Sequence, residues 1–124
     1  MWRRRMLSFK YAIAGLRYFF RSQVHARIHL GAALVVVLLG GWLQVDRTEW
    51  LLLTLCTGSV LVAEALNTAL EELTNLVSPD HHELAGRTKD VAAGAVLLAA
   101  LIALVVGAGI FLPKLIDRFI NVPG

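Results

Sequence analysis

The sequence predicts an all-α integral membrane protein: an N-terminal amphipathic surface helix followed by three transmembrane helices. Three observations lead there. Val91 to Leu112 is a run of 22 residues without a charged side chain, roughly 33 Å of helix and enough to cross a hydrocarbon core. Hydrophobic residues make up 57% of the 124 positions and charged residues 17%, and so short a chain cannot hide such a run in a soluble core. Seven of the twelve Lys and Arg residues precede His29 (Arg3, Arg4, Arg5, Lys10, Arg17, Arg21 and Arg27), a distribution suited to contact with anionic lipid. Nucleic acid is the competing partner for a basic patch, and the apolar remainder argues against it. The whole chain, 1–124, reads as one domain, without internal repeats or a low-complexity linker.

Residues 1–28 form the expected surface helix. Phe9, Ala12, Ile13, Leu16, Phe19 and Phe20 recur at helical spacing, with Arg17 and Arg21 to one side. The basic start is not followed by an apolar core and a small-residue cleavage site, so no cleavable signal peptide is expected. Span one covers 28–45. Asp46 to Glu49 then make a short turn, with Thr48 as the expected helix cap and Trp42 and Trp50 in an interfacial aromatic belt. Span two covers 50–77, apolar up to Glu64 and more polar beyond. Ser78-Pro79-Asp80 breaks it. His81 to Lys89 reads as a polar connection, and span three covers 90–112, with Pro113 as its end. Three spans put the two chain ends on opposite sides. With the N-terminus in the cytoplasm, Arg87 and Lys89 join the seven N-terminal basic residues inside, against Arg47, Lys114 and Arg118 outside, as the positive-inside rule requires.

The chemistry concentrates in span two. Glu64, Asn67, Thr68, Glu71 and Asn75 share one helical face. Carboxylates inside a span are costly and face a cavity or a partner. Glu64 lies fourteen residues beyond Trp50, roughly 21 Å along the helix, which places it just below the cytoplasmic interface. Glu71 lies roughly 10 Å further, at the interface itself. A shallow carboxylate can take the proton of a lipid hydroxyl, and an interfacial one can hold a metal that carries phosphates. The alternative is that the stripe only hydrogen-bonds between helices. Lys89 can bind a phosphate as a point charge, while Asp90 can cap span three or orient Lys89. Ala92-Ala93-Gly94-Ala95 is a small-residue packing surface.

Other candidates read more plainly. Cys56 is expected to be a buried small hydrophobe. His25 and His29, spaced i, i+4, have no third metal ligand nearby and are expected to hydrogen-bond at the interface. His81 and His82 read as loop surface. There is no Walker loop and no Gly-rich kinase loop, so a nucleotide site must be of another kind.

Taken together, Phe9-Lys10-Tyr11-Ala12, Gly15-Leu16, Arg27-Ile28-His29, Glu49-Trp50, Glu64-x-x-Asn67-Thr68-Ala69-x-Glu71 and Lys89-Asp90-Val91-Ala92-Ala93-Gly94-Ala95-Val96-Leu97 resemble the prokaryotic membrane diacylglycerol kinase and undecaprenol kinase family. The resemblance covers nearly the whole chain, and Phe111-Leu112-Pro113-Lys114 looks closer to the undecaprenol kinase branch. It implies a homotrimer in the bacterial inner membrane. The implied activity is transfer of the ATP γ-phosphoryl group to the hydroxyl of a membrane lipid alcohol, undecaprenol or diacylglycerol, using Mg2+. By resemblance Glu64 is the general base, Asn67 supports it and Glu71 binds the metal. Arg4, Tyr11, Asp80, His81, His82, Lys89 and Asp90 match nucleotide-binding positions. Gln23 stands where the family often has a second metal-binding Glu, and Asn75 where Asp is common. The competing reading is a non-enzymatic lipid-binding or assembly module derived from the kinase: Glu64, Glu71 and Lys89 together favour the enzyme, Gln23 the module. An ion pathway needs ionisable groups across the full membrane depth, which span three does not offer.

Overall fold

The structure, a computed structural model, describes residues 1–121 and is built from four helices: α1 (Trp2–Ser22), α2 (Val24–Trp42), α3 (Arg47–Val77) and α4 (Glu83–Phe119). The last three are long and apolar enough to cross a membrane. α3 is the hub, packing along α4 and touching α2 and α1. Large side chains such as Leu34, Val35, Leu38, Leu55, Leu97, Ile102, Leu104 and Val105 point outward and are exposed. Apolar exteriors around a bundle are unfavourable in water and natural in lipid.

The covered face of each span is a narrow seam. Along α3 it is Leu53, Thr57, Val60, Glu64, Asn67, Glu71 and Thr74; along α4 it is Lys89, Ala92, Val96, Ala99, Ala103, Val106 and Ile110. Along α2 it is Ala26, His29, Ala33, Val36 and Gly40. Alternating steps of three and four residues keep one face toward a neighbouring helix at shallow crossing angles. The seams of α2 and α4 are rich in Ala and Gly, so backbones approach closely.

Several boundaries differ from the sequence expectation, each for a local reason. The surface helix ends at Ser22 rather than residue 28. One extended residue, Gln23 (φ −108°, ψ 117°), separates it from α2, so the first span starts at Val24, before the expected Ile28. No Gly or Pro announces this break; buried Phe19 and Ala26 on either side of it mark a packed junction. α2 ends in a Schellman closure. Gln44 N–H bonds Gly41 O, and Val45 N–H bonds Gly40 O at 3.1 Å, with Gln44 in the left-handed region (φ 54°), where Gly is usual.

The cap of α3 is Asp46, not Thr48. Its carboxylate accepts from Glu49 N–H at 2.8 Å, and the Glu49 side chain accepts from Asp46 N–H at 3.0 Å, a reciprocal capping box. α3 therefore starts at Arg47, three residues before the expected Trp50. α4 starts at Glu83, so the expected polar connection is mostly helix. His82 Nδ1 accepts from Leu84 N–H at 3.1 Å as its cap, and Glu83 pairs with Arg87 one turn on at 3.2 Å. Asp90 consequently lies inside the helix and caps nothing.

Nor does Pro113 end α4, which continues to Phe119. The proline removes one ladder hydrogen bond and its ring faces the carbonyl four residues back, which here belongs to Gly109. Packing on both sides of Pro113 offsets that loss. Ile110 and Phe111 join Val45 and Leu53 in the buried core, with Leu115 and Trp50 against it. Lys114 pairs with Glu49 at 3.2 Å, and the Trp42 ring lies 5.9 Å from Phe119 and 4.6 Å from the Arg118 guanidinium carbon. Trp50 presses on Gly40 so closely that a Cβ there would fall 2.6 Å from the indole. The nested pairs Glu49–Lys114 and Asn75–Lys89 show α3 and α4 to be an antiparallel hairpin.

Candidate active site

The far end of the same seams is polar. Glu64, Asn67 and Thr68 are buried, because α3's helical period keeps them on the face that Val60 and Leu53 occupy further along. Glu71 is half-buried and Asn75 exposed. Each member of the stripe has a specific partner. The Glu64 carboxylate meets His29 of α2, with Nε2 to Oε2 at 3.6 Å. Thr68 donates its hydroxyl to the Glu64 carbonyl at 3.0 Å. Asn67 donates to the Glu71 carboxylate at 3.5 Å. Lys89, on the α4 seam, donates to Asn75.

This is a row of polar pairs running from a buried acid to a half-buried ammonium. One atom in the row stands alone: Asn67 Oδ1 is buried without a hydrogen-bond partner. Buried carbonyl oxygens are rarely left so, and this one lies on the same side chain that reaches Glu71. An amide oxygen beside a carboxylate is a donor set for a hard divalent cation. Mg2+ binds through one or two carboxylates and completes its shell with water and phosphate oxygens. No cluster of three or more His, Cys, Asp or Glu residues is arranged for a metal among the described residues, which a phosphate-borne ion does not require. Among those residues Gln23 makes no hydrogen bond to Glu71; its amide donates to the Ser22 hydroxyl at 3.5 Å.

The remaining sequence candidates stand apart from the row. Arg4 and Tyr11 are exposed on α1. Asp80 and His81 are exposed in the α3–α4 connection, and His82 is used as a cap. Asp90 is exposed one residue beyond Lys89. Among the described residues none of the Arg4, Tyr11, Asp80, His81 and Asp90 side chains enters a hydrogen bond or ion pair.

Three features escaped the sequence reading. His29 reaches Glu64, although it was expected only to hydrogen-bond at the interface. Its signal was present: Ala26, His29, Ala33, Val36 and Gly40 form one seam, so the imidazole points inward. Tyr18 donates its hydroxyl to Glu72, tying α1 to α3. That hydrogen bond, then the charge of Glu72, raises the phenol pKa, so the donor stays protonated through neutral pH. Finally, an apolar groove of about 550 Å³ lies between α2, α3 and α4, lined by His29, Ala33, Val60, Ala103, Gly107 and Phe111 among others. Cys56 also lines it and is partly exposed, not buried as expected.

Comparison with known proteins identifies the family of the chain. The prokaryotic diacylglycerol kinase family matches residues 10–111. A diacylglycerol kinase of Synechocystis sp. is 40% identical over 116 residues, 93% of this chain and 66% of that protein, so the chain spans just under two thirds of that relative's length. An undecaprenol kinase of Bacillus subtilis is 38% identical over 108 residues, 87% of this chain and 88% of that protein. A diacylglycerol kinase of Escherichia coli K12 is 34% identical over 95 residues, 77% of this chain and 78% of that protein. The matched region contains α2, α3, the polar row and most of α4, and the chain belongs to the prokaryotic diacylglycerol kinase family, a family of ATP-dependent lipid kinases.

Proposed function

We propose that this chain is a single-domain lipid kinase of the bacterial inner membrane that transfers the ATP γ-phosphoryl group to the hydroxyl of a membrane lipid alcohol. Undecaprenol is the favoured substrate and diacylglycerol the alternative. The observation that carries the reading is Glu64: a carboxylate 5% exposed on the covered seam of a helix long enough to span a membrane. An intramembrane acid marks function by default, and the rest of the polar row leads from it toward Lys89.

In the proposed reaction the Glu64 carboxylate accepts the proton of the lipid hydroxyl as that oxygen attacks the γ-phosphorus. The bond from the γ-phosphorus to the bridging oxygen breaks and ADP leaves with the electron pair. Lys89, held by Asn75, meets a phosphate as a fixed positive charge. Glu71 and Asn67 would hold Mg2+, which supplies charge neutralisation on the phosphate oxygens when bound. Arg4, Tyr11, Asp80, His81, His82 and Asp90 are proposed to border the nucleotide once copies of the chain assemble. A homotrimer with sites between subunits is expected, since Glu71 and Lys89 are only half-covered within one chain. The Lys and Arg distribution favours a cytoplasmic N-terminus, a polar row at the cytoplasmic side of the membrane and a C-terminus outside.

The test is lipid phosphorylation by the purified protein in vesicles, with ATP, Mg2+ and either undecaprenol or diacylglycerol. Transfer to a lipid hydroxyl supports the reading, and the ratio of the two rates assigns the lipid. Inactivity on every lipid alcohol would leave the non-enzymatic module.

A further inference from the structure

Glu64 has to be aimed as well as buried. A carboxylate on a three-bond side chain takes a proton efficiently only when one oxygen is held toward the incoming hydroxyl. The other polar groups of the stripe are already committed. Thr68 donates to the Glu64 backbone carbonyl, not to its carboxylate. The Asn67 amide donates to Glu71. Lys89 is engaged by Asn75, and the Arg27 guanidinium bonds the Arg21 carbonyl at 3.2 Å. Among the described residues the only group that can carry a positive charge at ion-pair distance from Glu64 is His29.

We infer that His29 is the positioning residue for Glu64: its Nε2–H holds the carboxylate in the orientation that accepts the lipid proton. This inference rests on the kinase reading above and adds to it a residue on a different helix. The Nε2–Oε2 distance of 3.6 Å is ion-pair distance, a few tenths of an ångström beyond hydrogen-bond length. Hydrogen bonds of this kind commonly tighten only once substrate is bound. The side chains are graded in exposure, 7% for Glu64 and 23% for His29. The imidazole thus stands on the more open side of a nearly buried acid and meets one of its two oxygens. His29 also lines the apolar groove, so the donor and the membrane-facing hollow meet at one residue. Among the described residues the His29 side chain enters no other ion pair or hydrogen bond.

The experiment is a double-mutant cycle in vesicles, read as kcat and as KM for Mg-ATP. His29→Met removes the donor and keeps an unbranched chain; His29→Gln keeps an N–H near the position of Nε2. We expect His29→Met to lower kcat about 10- to 100-fold with KM for Mg-ATP within about twofold. His29→Gln should restore most of the loss. In a Glu64→Gln background His29→Met should cost nothing further, because there is no carboxylate left to aim. If His29→Met prevents assembly, the same cycle run with His29→Gln and His29→Asn decides, since Asn sets its amide too short to reach Oε2 and should behave as the loss variant. Multiplicative losses in the two backgrounds, or an unchanged kcat, would overturn the positioning role. A wild-type protein without lipid kinase activity, or a fully active Glu64→Gln, would instead overturn the kinase reading itself.

Discussion

The two ends of the α2–α3–α4 bundle use one seam for opposite purposes. At the Trp50 end the seam of α3 carries Leu53, Thr57 and Val60, and its neighbours close over it. Phe111 and Ile110 fill the space, Trp50 lies on Gly40, and the ends are fastened by the Asp46–Glu49 capping box and by Glu49–Lys114. At the Asn75 end the same seam carries Glu64, Asn67 and Glu71. There the carboxylates of Glu64 and Glu71 are met only at 3.6 and 3.5 Å, and one buried oxygen has no partner. In a bilayer, apolar burial alone gives little net drive for helix association, and close packing with specific polar contacts does more. The closed end therefore holds the bundle together, and the open end is free to carry groups whose partners arrive as substrates.

That division can be broken or sharpened by substitution. The largest stability effect is expected at the closed end. Phe111→Ala leaves a cavity among Val45, Leu53 and Ile110 and should destabilise the chain by about 3 kcal/mol, read as a lowered unfolding midpoint in detergent. The Mg-ATP KM of the folded fraction should not move. A changed KM with unchanged stability would mean that the two ends are not separate.

Lys89→Met tests the opposite end. Removing a charged hydrogen-bond donor to phosphate should cost about 1.5 to 3 kcal/mol, or roughly 10- to 100-fold in kcat/KM for ATP, with the unfolding midpoint nearly unchanged. An ATP response like that of the parent would remove Lys89 from the nucleotide site.

Gln23→Glu is expected to act more mildly. It adds one carboxylate at the α1–α2 junction, where the family resemblance implies a second metal ligand. It should lower the half-saturating Mg2+ concentration by roughly fivefold, about 1 kcal/mol. A titration that does not shift would show that Gln23 lies away from the metal in the assembled enzyme. The smallest effect is expected at the turn: Gln44→Gly relieves a left-handed L-residue and should stabilise the chain by about 0.5 kcal/mol. A destabilised variant would mean that the Gln44 side chain has a role the backbone geometry does not reveal.

Much of this division is legible in the sequence, and the reasons for the rest are local. The three spans follow from apolar runs, and the stripe of α3 follows from helical period, which alone sets Glu64, Asn67 and Glu71 on one face. The break at Gln23 has no sequence mark, because a single extended residue needs neither Gly nor Pro when Phe19 and Ala26 pack around it. Pro113 does not terminate α4, because tertiary contacts of Ile110, Phe111 and Lys114 outweigh one lost hydrogen bond. The α4 start was set too late because His81 to Lys89 is polar yet helix-compatible, with His82 as an uncommon cap. The Asn75–Lys89 pair depends on the register of the antiparallel α3–α4 hairpin, which hydropathy alone does not specify. His29 was readable in principle, as a polar residue on an otherwise small-residue seam.

The measurement that bears most directly on the account is the turnover of Glu64→Gln in vesicles containing the lipid alcohol that the parent protein phosphorylates. The substitution keeps the shape and hydrogen-bonding capacity of the side chain and removes the proton acceptor. General-base assistance is worth about 10²- to 10⁴-fold. The variant should therefore assemble and bind Mg-ATP as the parent does and lose at least roughly 100-fold in kcat. Near-normal lipid phosphorylation by Glu64→Gln would contradict the account, because the buried acid would then be a packing element and the base would lie elsewhere.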